Sequence, residues 1–182
     1  MDRSRFIVTG MPRSRTAWIA ALFCAHGVET VHEAPLFFKN VEEVQAWVHS
    51  GTEADPRGYV DGLAIVQKPD LVLKHFHNCP MIIIDRPYAD VRASWVKWHS
   101  PISDEHFNDA VNKVDAFKRT VAGWDNVLTI PYALLDDYAS INEVFVHCTG
   151  RELKPITWRL FNHLKIELHG EKARADLCQE YA

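Results

Sequence analysis

The sequence has no CxxC pair and no zinc-finger spacing. Cys24, Cys79, Cys148 and Cys178 lie far apart, which argues against a compact cysteine metal site and marks them as ordinary reduced thiols. No apolar run approaches the ~20 residues that a membrane-spanning helix needs; Ala17 to Ala25 is typical of the longest. Net basic charge is also lacking. Lys and Arg number 20 against 24 Asp and Glu, a formal net charge of −4, so polyanion binding would need a local basic patch rather than a global field. No internal repeat or low-complexity tract is present, and no GK[ST] tripeptide occurs. The usual loop for nucleoside triphosphates is therefore missing.

What is present fits one domain. The 182 residues suffice to bury a core and match the usual size of a single unit. The chain opens MDRSRF and enters an apolar run at once, leaving no room for a signal peptide. We expect a cytoplasmic protein that contacts neither membrane nor nucleic acid; the sequence is silent on oligomeric state.

The most informative stretch is Phe6 to Trp18, FIVTGMPRSRTAW. Phe6, Ile7 and Val8 read as a strand, Gly10 and Pro12 break it, and Thr16 to His26 reads as a helix. In a strand-loop-helix unit the loop amides and the unpaired N–H groups of the first helical turn converge on one point, where the helix dipole also favours negative charge. Arg13 adds a planar donor fork, Ser14 and Thr16 add hydroxyls, and Arg15 adds a second cation. A phosphate or sulfate is the expected guest. N-capping alone would not call for two arginines around the loop.

A second signal lies mid-chain. Ile82-Ile83-Ile84-Asp85-Arg86-Pro87 ends a predicted strand, and Ala89 to His99 reads as a helix presenting Ser94, eight positions after Arg86. An Arg at a strand's carboxyl end and a Ser from the next helix can share one dianionic phosphate. The structural alternative is an ion pair of Arg86 with Asp85 or Asp90.

Together these segments resemble the sulfotransferases that use 3′-phosphoadenosine 5′-phosphosulfate (PAPS). Pro12, Arg13, Ser14, Thr16 and Trp18 match the family's PK/RSGTTW loop, and Arg86 and Ser94 match its 3′-phosphate element. The resemblance implies that Arg13, Ser14 and Thr16 hold the 5′ phosphosulfate, that Trp18 stacks on adenine, and that Arg86 and Ser94 hold the 3′ phosphate. Arg15 stands where the family usually has Gly, the residue that lets backbone approach an anion closely. Tyr132 to Asp136 looks like the family's YEDLL segment, and the likeness runs from Phe6 to about Gly150. No Arg-Lys-Gly segment appears near the C-terminus. The implied fold is α/β: a three-layer sandwich whose central parallel sheet of about five strands is flanked by helices, as in P-loop nucleotide kinases. The implied co-substrate is PAPS, with no metal expected and a small-molecule or glycan acceptor.

Elsewhere, strands are predicted at Glu29 to Glu33, Leu71 to Leu73, Met81 to Ile84 and Val127 to Ile130. Helices are predicted at Val41 to His49, Asp104 to Val121, Ile141 to Gly150 and Pro155 to Leu168. Ser50 to Gly62, with Gly51, Pro56, Gly58 and Gly62, reads as the longest loop, a place for a substrate lid or a plain surface connection. Phe37, Phe38, Trp47, Trp95 and Trp98 are candidates for an apolar acceptor pocket or for core.

Sulfuryl transfer also needs a proton acceptor. Glu33 precedes Phe37-Phe38 and so resembles the base of the glycosaminoglycan sulfotransferases. His77 and His75 follow the predicted third strand, where Lys74-His75 resembles the KTH segment of the cytosolic enzymes. His32 is a further candidate, because imidazole titrates near neutrality. His75-x-His77 finds no third ligand at a metal-binding spacing. Two other readings are open: a small-molecule kinase using ATP, and a binding protein that holds a nucleotide or sulfonucleotide without turnover.

Overall fold

The computed structural model describes residues 1–32, 41–98 and 102–163. Its centre is a parallel sheet in the order β2-β3-β1-β4-β5. The strands are β1 (Arg5–Gly10), β2 (Glu29–His32), β3 (Arg57–Asp61), β4 (Met81–Asp85) and β5 (Val127–Pro131). Helices α1 (Thr16–Cys24), α2 (Val41–His49), α3 (Ala64–Gln67), α4 (Pro69–Phe76), α5 (Tyr88–Trp98), α6 (Asp104–Val121), α7 (Tyr138–Thr149) and α8 (Pro155–His163) complete the fold.

The alternation of side chains along a strand divides the core in two. Phe6 and Val8 of β1 and Ile82 and Ile84 of β4 pack under α1, α7 and α8, against Leu22, Phe23, Phe145 and Phe161. Ile7, Met81 and Ile83 face the other way, against Ile65 of α3, Val72 and Phe76 of α4, Val91 of α5 and Phe107, Val114 and Phe117 of α6. Both faces of the sheet are therefore covered, as parallel sheets require. This is the three-layer sandwich with five strands expected from the sequence.

One strand lies elsewhere than predicted. Residues 50–62 do not form one long loop: they contain β3, which pairs with both β1 and β2. Gly58 hid it, since glycine weakens a strand signal. A Cβ at Gly58 would overlap the ring of Phe6 and stand 2.8 Å from Thr30 Cγ2, so the glycine is there to let an aromatic ring cross the strand. Conversely, Leu71 to Leu73 is not a strand but part of α4. Pro69 at the first helical position and the i, i+4 pair Val72 and Phe76, both buried, mark it as an amphipathic helix. Three apolar residues are too few to tell strand from helix by pattern alone.

Connections leave β1 toward β2 on one side, and later reach β4 on the other. The carboxyl ends of β1, β3 and β4 thus border the crevice at which open α/β sheets bind ligands.

Candidate anion site at the carboxyl edge

Gly10 ends β1 beside β4: a Cβ there would lie 2.7 Å from the Ile84 carbonyl oxygen. Met11 is buried and anchors the loop, and Pro12 packs over Gly62, where an added Cβ would meet its Cα at 3.1 Å. The chain then turns through two left-handed residues, Arg13 (φ 69) and Arg15 (φ 61). Non-glycine residues there cost roughly 1–2 kcal/mol each, and such strain clusters at functional sites. Arg15 keeps the backbone conformation that a glycine would adopt freely.

Arg15 is also the N-cap of α1, and it makes no side-chain capping bond. The first N–H groups of α1 are left without that partner. Ser14, held between the two arginines, is fully buried, and its Oγ has no hydrogen-bond partner among the described residues. A buried hydroxyl is normally satisfied, so Ser14 has a hydrogen bond to give that none of the described residues takes. Thr16 is buried too, with Oγ1 3.1 Å from Nε2 of His32.

The two motifs meet here. Arg13 donates from Nε to Ser94 Oγ on α5 at 3.4 Å. Arg86, just past the end of β4, donates from Nη1 to the carbonyl oxygen of Arg13 and lies over the ring of Tyr132 at 4.3 Å. The Nε of Arg86 is buried with no partner among the described residues. Asp85, one of the two carboxylates offered as an ion-pair partner for Arg86, pairs with Lys118 at 2.6 Å. Arg15 pairs with Asp136 at 2.6 Å and lies 4.3 Å over the ring of Trp18. Trp18 is only 5% exposed, so a base stacking on it must displace that guanidinium.

Of the base candidates, only His32 is brought to the loop among the described residues. Burial lowers its pKa to about 4 against the opposing pull of Asp61, so its imidazole is neutral at pH 7. Asp61, buried at the end of β3, accepts from the hydroxyl of Tyr59 at 2.9 Å and from the Leu63 N–H at 2.6 Å. Burial first, then Asp61, push the Tyr59 phenol well above its ordinary range, so it remains a donor. His77 sits elsewhere. It caps α4, with Nδ1 3.1 Å from the Lys74 carbonyl oxygen, and is exposed. His75 faces His49 at 3.4 Å, beside Arg5 at the start of β1. Both therefore lie at the amino edge, opposite the loop, because the segment read as a third strand is a helix running back across the sheet. Glu33, Phe37 and Phe38 lie outside the described residues, as does the side chain of Trp98. Trp47 packs under Arg57 and Trp95 against the α6-side core.

Sequence reasoning passes over Asp61, Tyr59, Tyr132 and Asp136 as site residues. The first two sit in a stretch that reads as loop; the last two lie in the segment that resembles YEDLL, to which the sequence assigns no contact with the site.

The fold has structural relatives. The chain superposes on mouse sulfotransferase SULT7A1 complexed with PAP with a TM-score of 0.60 at 12% identity, covering 90% of this chain and 64% of that one. The fold is sulfotransferase-like. A gluconokinase from Sinorhizobium meliloti 1021 aligns with a TM-score of 0.49 at 10% identity, over 91% of this chain and 97% of its own. No protein-family model matches the chain, and neither does any curated protein. The chain thus spans just under two thirds of the length of the mouse protein, and at that identity the likeness is one of fold.

Proposed function

We propose that this protein is a sulfotransferase that binds PAPS and moves its sulfuryl group to a hydroxyl or amine of a small-molecule or glycan acceptor. The observation that carries this reading is the meeting of the two motifs, Arg13 on Ser94 and Arg86 on the Arg13 carbonyl. A donor with charged groups at both the 5′ and 3′ positions of one adenosine needs two cationic cradles within its own length, and these are neighbours. The partnerless Ser14 hydroxyl and the α1 start, which has no side-chain cap, suit the 5′ group, while Arg86 and Ser94 suit the 3′ phosphate.

In the reaction the bond from sulfur to the bridging phosphate oxygen breaks, and a bond from sulfur to the acceptor forms. The acceptor's proton passes to a base, and 3′,5′-adenosine bisphosphate leaves. Arg13 and the loop N–H groups neutralise charge growing on the departing phosphate, the term that dominates group transfer of this kind. Glu33, which follows His32 directly in the chain, is the proposed base.

Thermal-shift titration with 3′,5′-adenosine bisphosphate and with ATP plus magnesium tests the reading. We expect stabilisation by the bisphosphate, followed by transfer of labelled sulfate to members of a hydroxyl and amine acceptor panel. Stabilisation by ATP alone overturns it in favour of a kinase. Bisphosphate binding with no transfer leaves a binding protein.

A further inference from the structure

Thr16 and His32 face each other at the anion site, and the pair has only one arrangement that serves an anion. Phosphate and sulfate oxygens accept hydrogen bonds and donate none, so a hydroxyl helps only if its own hydrogen points at the ligand. Thr16 has one such hydrogen, and Nε2 of His32 lies 3.1 Å from its oxygen. If that nitrogen were an acceptor, it would take the hydrogen and turn the hydroxyl's lone pairs toward the anion. If it carries a hydrogen, it donates to Oγ1 and frees the Thr16 proton.

We propose that His32 is a positioning residue: its imidazole carries the proton on Nε2 and donates to Thr16, which aims the Thr16 hydroxyl at the bound phosphosulfate. The inference deepens the sulfotransferase reading and rests on it for the identity of the anion. It gives His32 a task other than acceptor deprotonation, since its Nε2 is engaged with the loop. Three features support it. His32 is the last residue of β2 and pairs in register with Val60 of β3, so the strand holds the ring in place. Burial keeps the ring neutral at working pH, so a choice of tautomer exists to be made. The neighbouring hydroxyl of Ser14 is buried without a partner among the described residues, so Thr16 joins it in having a hydrogen to give only when His32 donates.

The tautomer can be read directly on the intact protein. Nitrogen-15 NMR of histidine-labelled protein at pH 7 distinguishes imidazole protonated at Nε2 from imidazole protonated at Nδ1, and we expect the Nε2–H form at His32. The Nδ1–H form, in which Nε2 can only accept, overturns the assignment. Binding supplies the second readout. His32→Ala should weaken bisphosphate affinity about tenfold, whereas His32→Gln, whose amide N–H can take the place of Nε2–H, should restore most of it. In a Thr16→Val background His32→Ala should change affinity little, because the hydroxyl it orients is gone. An equal loss in both backgrounds overturns the proposal. Failure of the unaltered protein to bind bisphosphate would instead refute the donor reading, and the tautomer measurement would still decide the role of His32.

Discussion

Helix α1 begins differently from α6 and α7, and the contrast shows what this fold spends its strain on. At α6 the N-cap Ser103 accepts from the His106 N–H, and at α7 Asp137 accepts from the Ser140 N–H. Both starts have extended caps and self-satisfied donors, the ordinary way a helix is stabilised. Helix α1 instead starts from a left-handed arginine with no side-chain bond to its first turn, preceded by a second left-handed arginine and a buried serine whose hydroxyl has no partner among the described residues. Helices α6 and α7 are finished by their own sequence. Among the described residues, no side chain finishes helix α1 in that way.

Altering each kind of helix start should have different consequences. The largest effect belongs to Arg13→Ala, which removes a preorganised donor from the leaving phosphate; sulfate transfer should fall about a hundredfold, measured as kcat/KM, with a much smaller change in the unfolding midpoint. Next comes the pH response of the site. Because the folded-state pKa of His32 is depressed from 6.5 to about 4, the unfolded chain takes up the proton first. Stability is therefore full above pH 6.5 and declines as the pH falls toward 4, by about 2 kcal/mol at pH 5 from this residue alone. Urea unfolding at pH 7 and pH 5 checks this, and His32→Gln should flatten the difference. The ordinary caps answer differently: Ser103→Ala should lower stability by about 1 kcal/mol while leaving bisphosphate affinity unchanged, read by paired unfolding and binding titrations. Smallest is Arg15→Gly. It relieves left-handed strain of about 1 kcal/mol and loses an exposed ion pair with Asp136 worth well under that. A gain of a few tenths of a kcal/mol is expected, and a clear loss of stability would show that the ion pair and the stacking on Trp18 outweigh the strain.

Much of this site is legible in the order of residues alone. The loop from Gly10 to Thr16 and the pair Arg86 and Ser94 are encoded locally: residue types fix the turn, the donor set and the side of the helix, and short-range pattern reports them well. The parallel, doubly covered sheet is legible for the same reason, through apolar runs such as Met81 to Ile84. Which histidine meets the loop is not legible. His77 lies beside a Lys-His pair that resembles a known motif, yet α4 carries it to the far edge of the sheet. His32, which sits in no such motif, is the histidine that touches the loop.

The sequence by itself determined the elements whose cause is local: the donor set of the arginine loop, the caps at Ser103 and Asp137, and the amphipathic stripe of α6. Tertiary structure alone decided that a glycine-bearing segment becomes β3, inserted between β1 and β2, because the space over Gly58 is claimed by Phe6 from another strand. It also decided that Arg86 reaches the carbonyl of Arg13, 73 residues away in the chain. Such contacts depend on which strands become neighbours, and that is set by burial summed over the whole sheet rather than by any stretch of residues read in order.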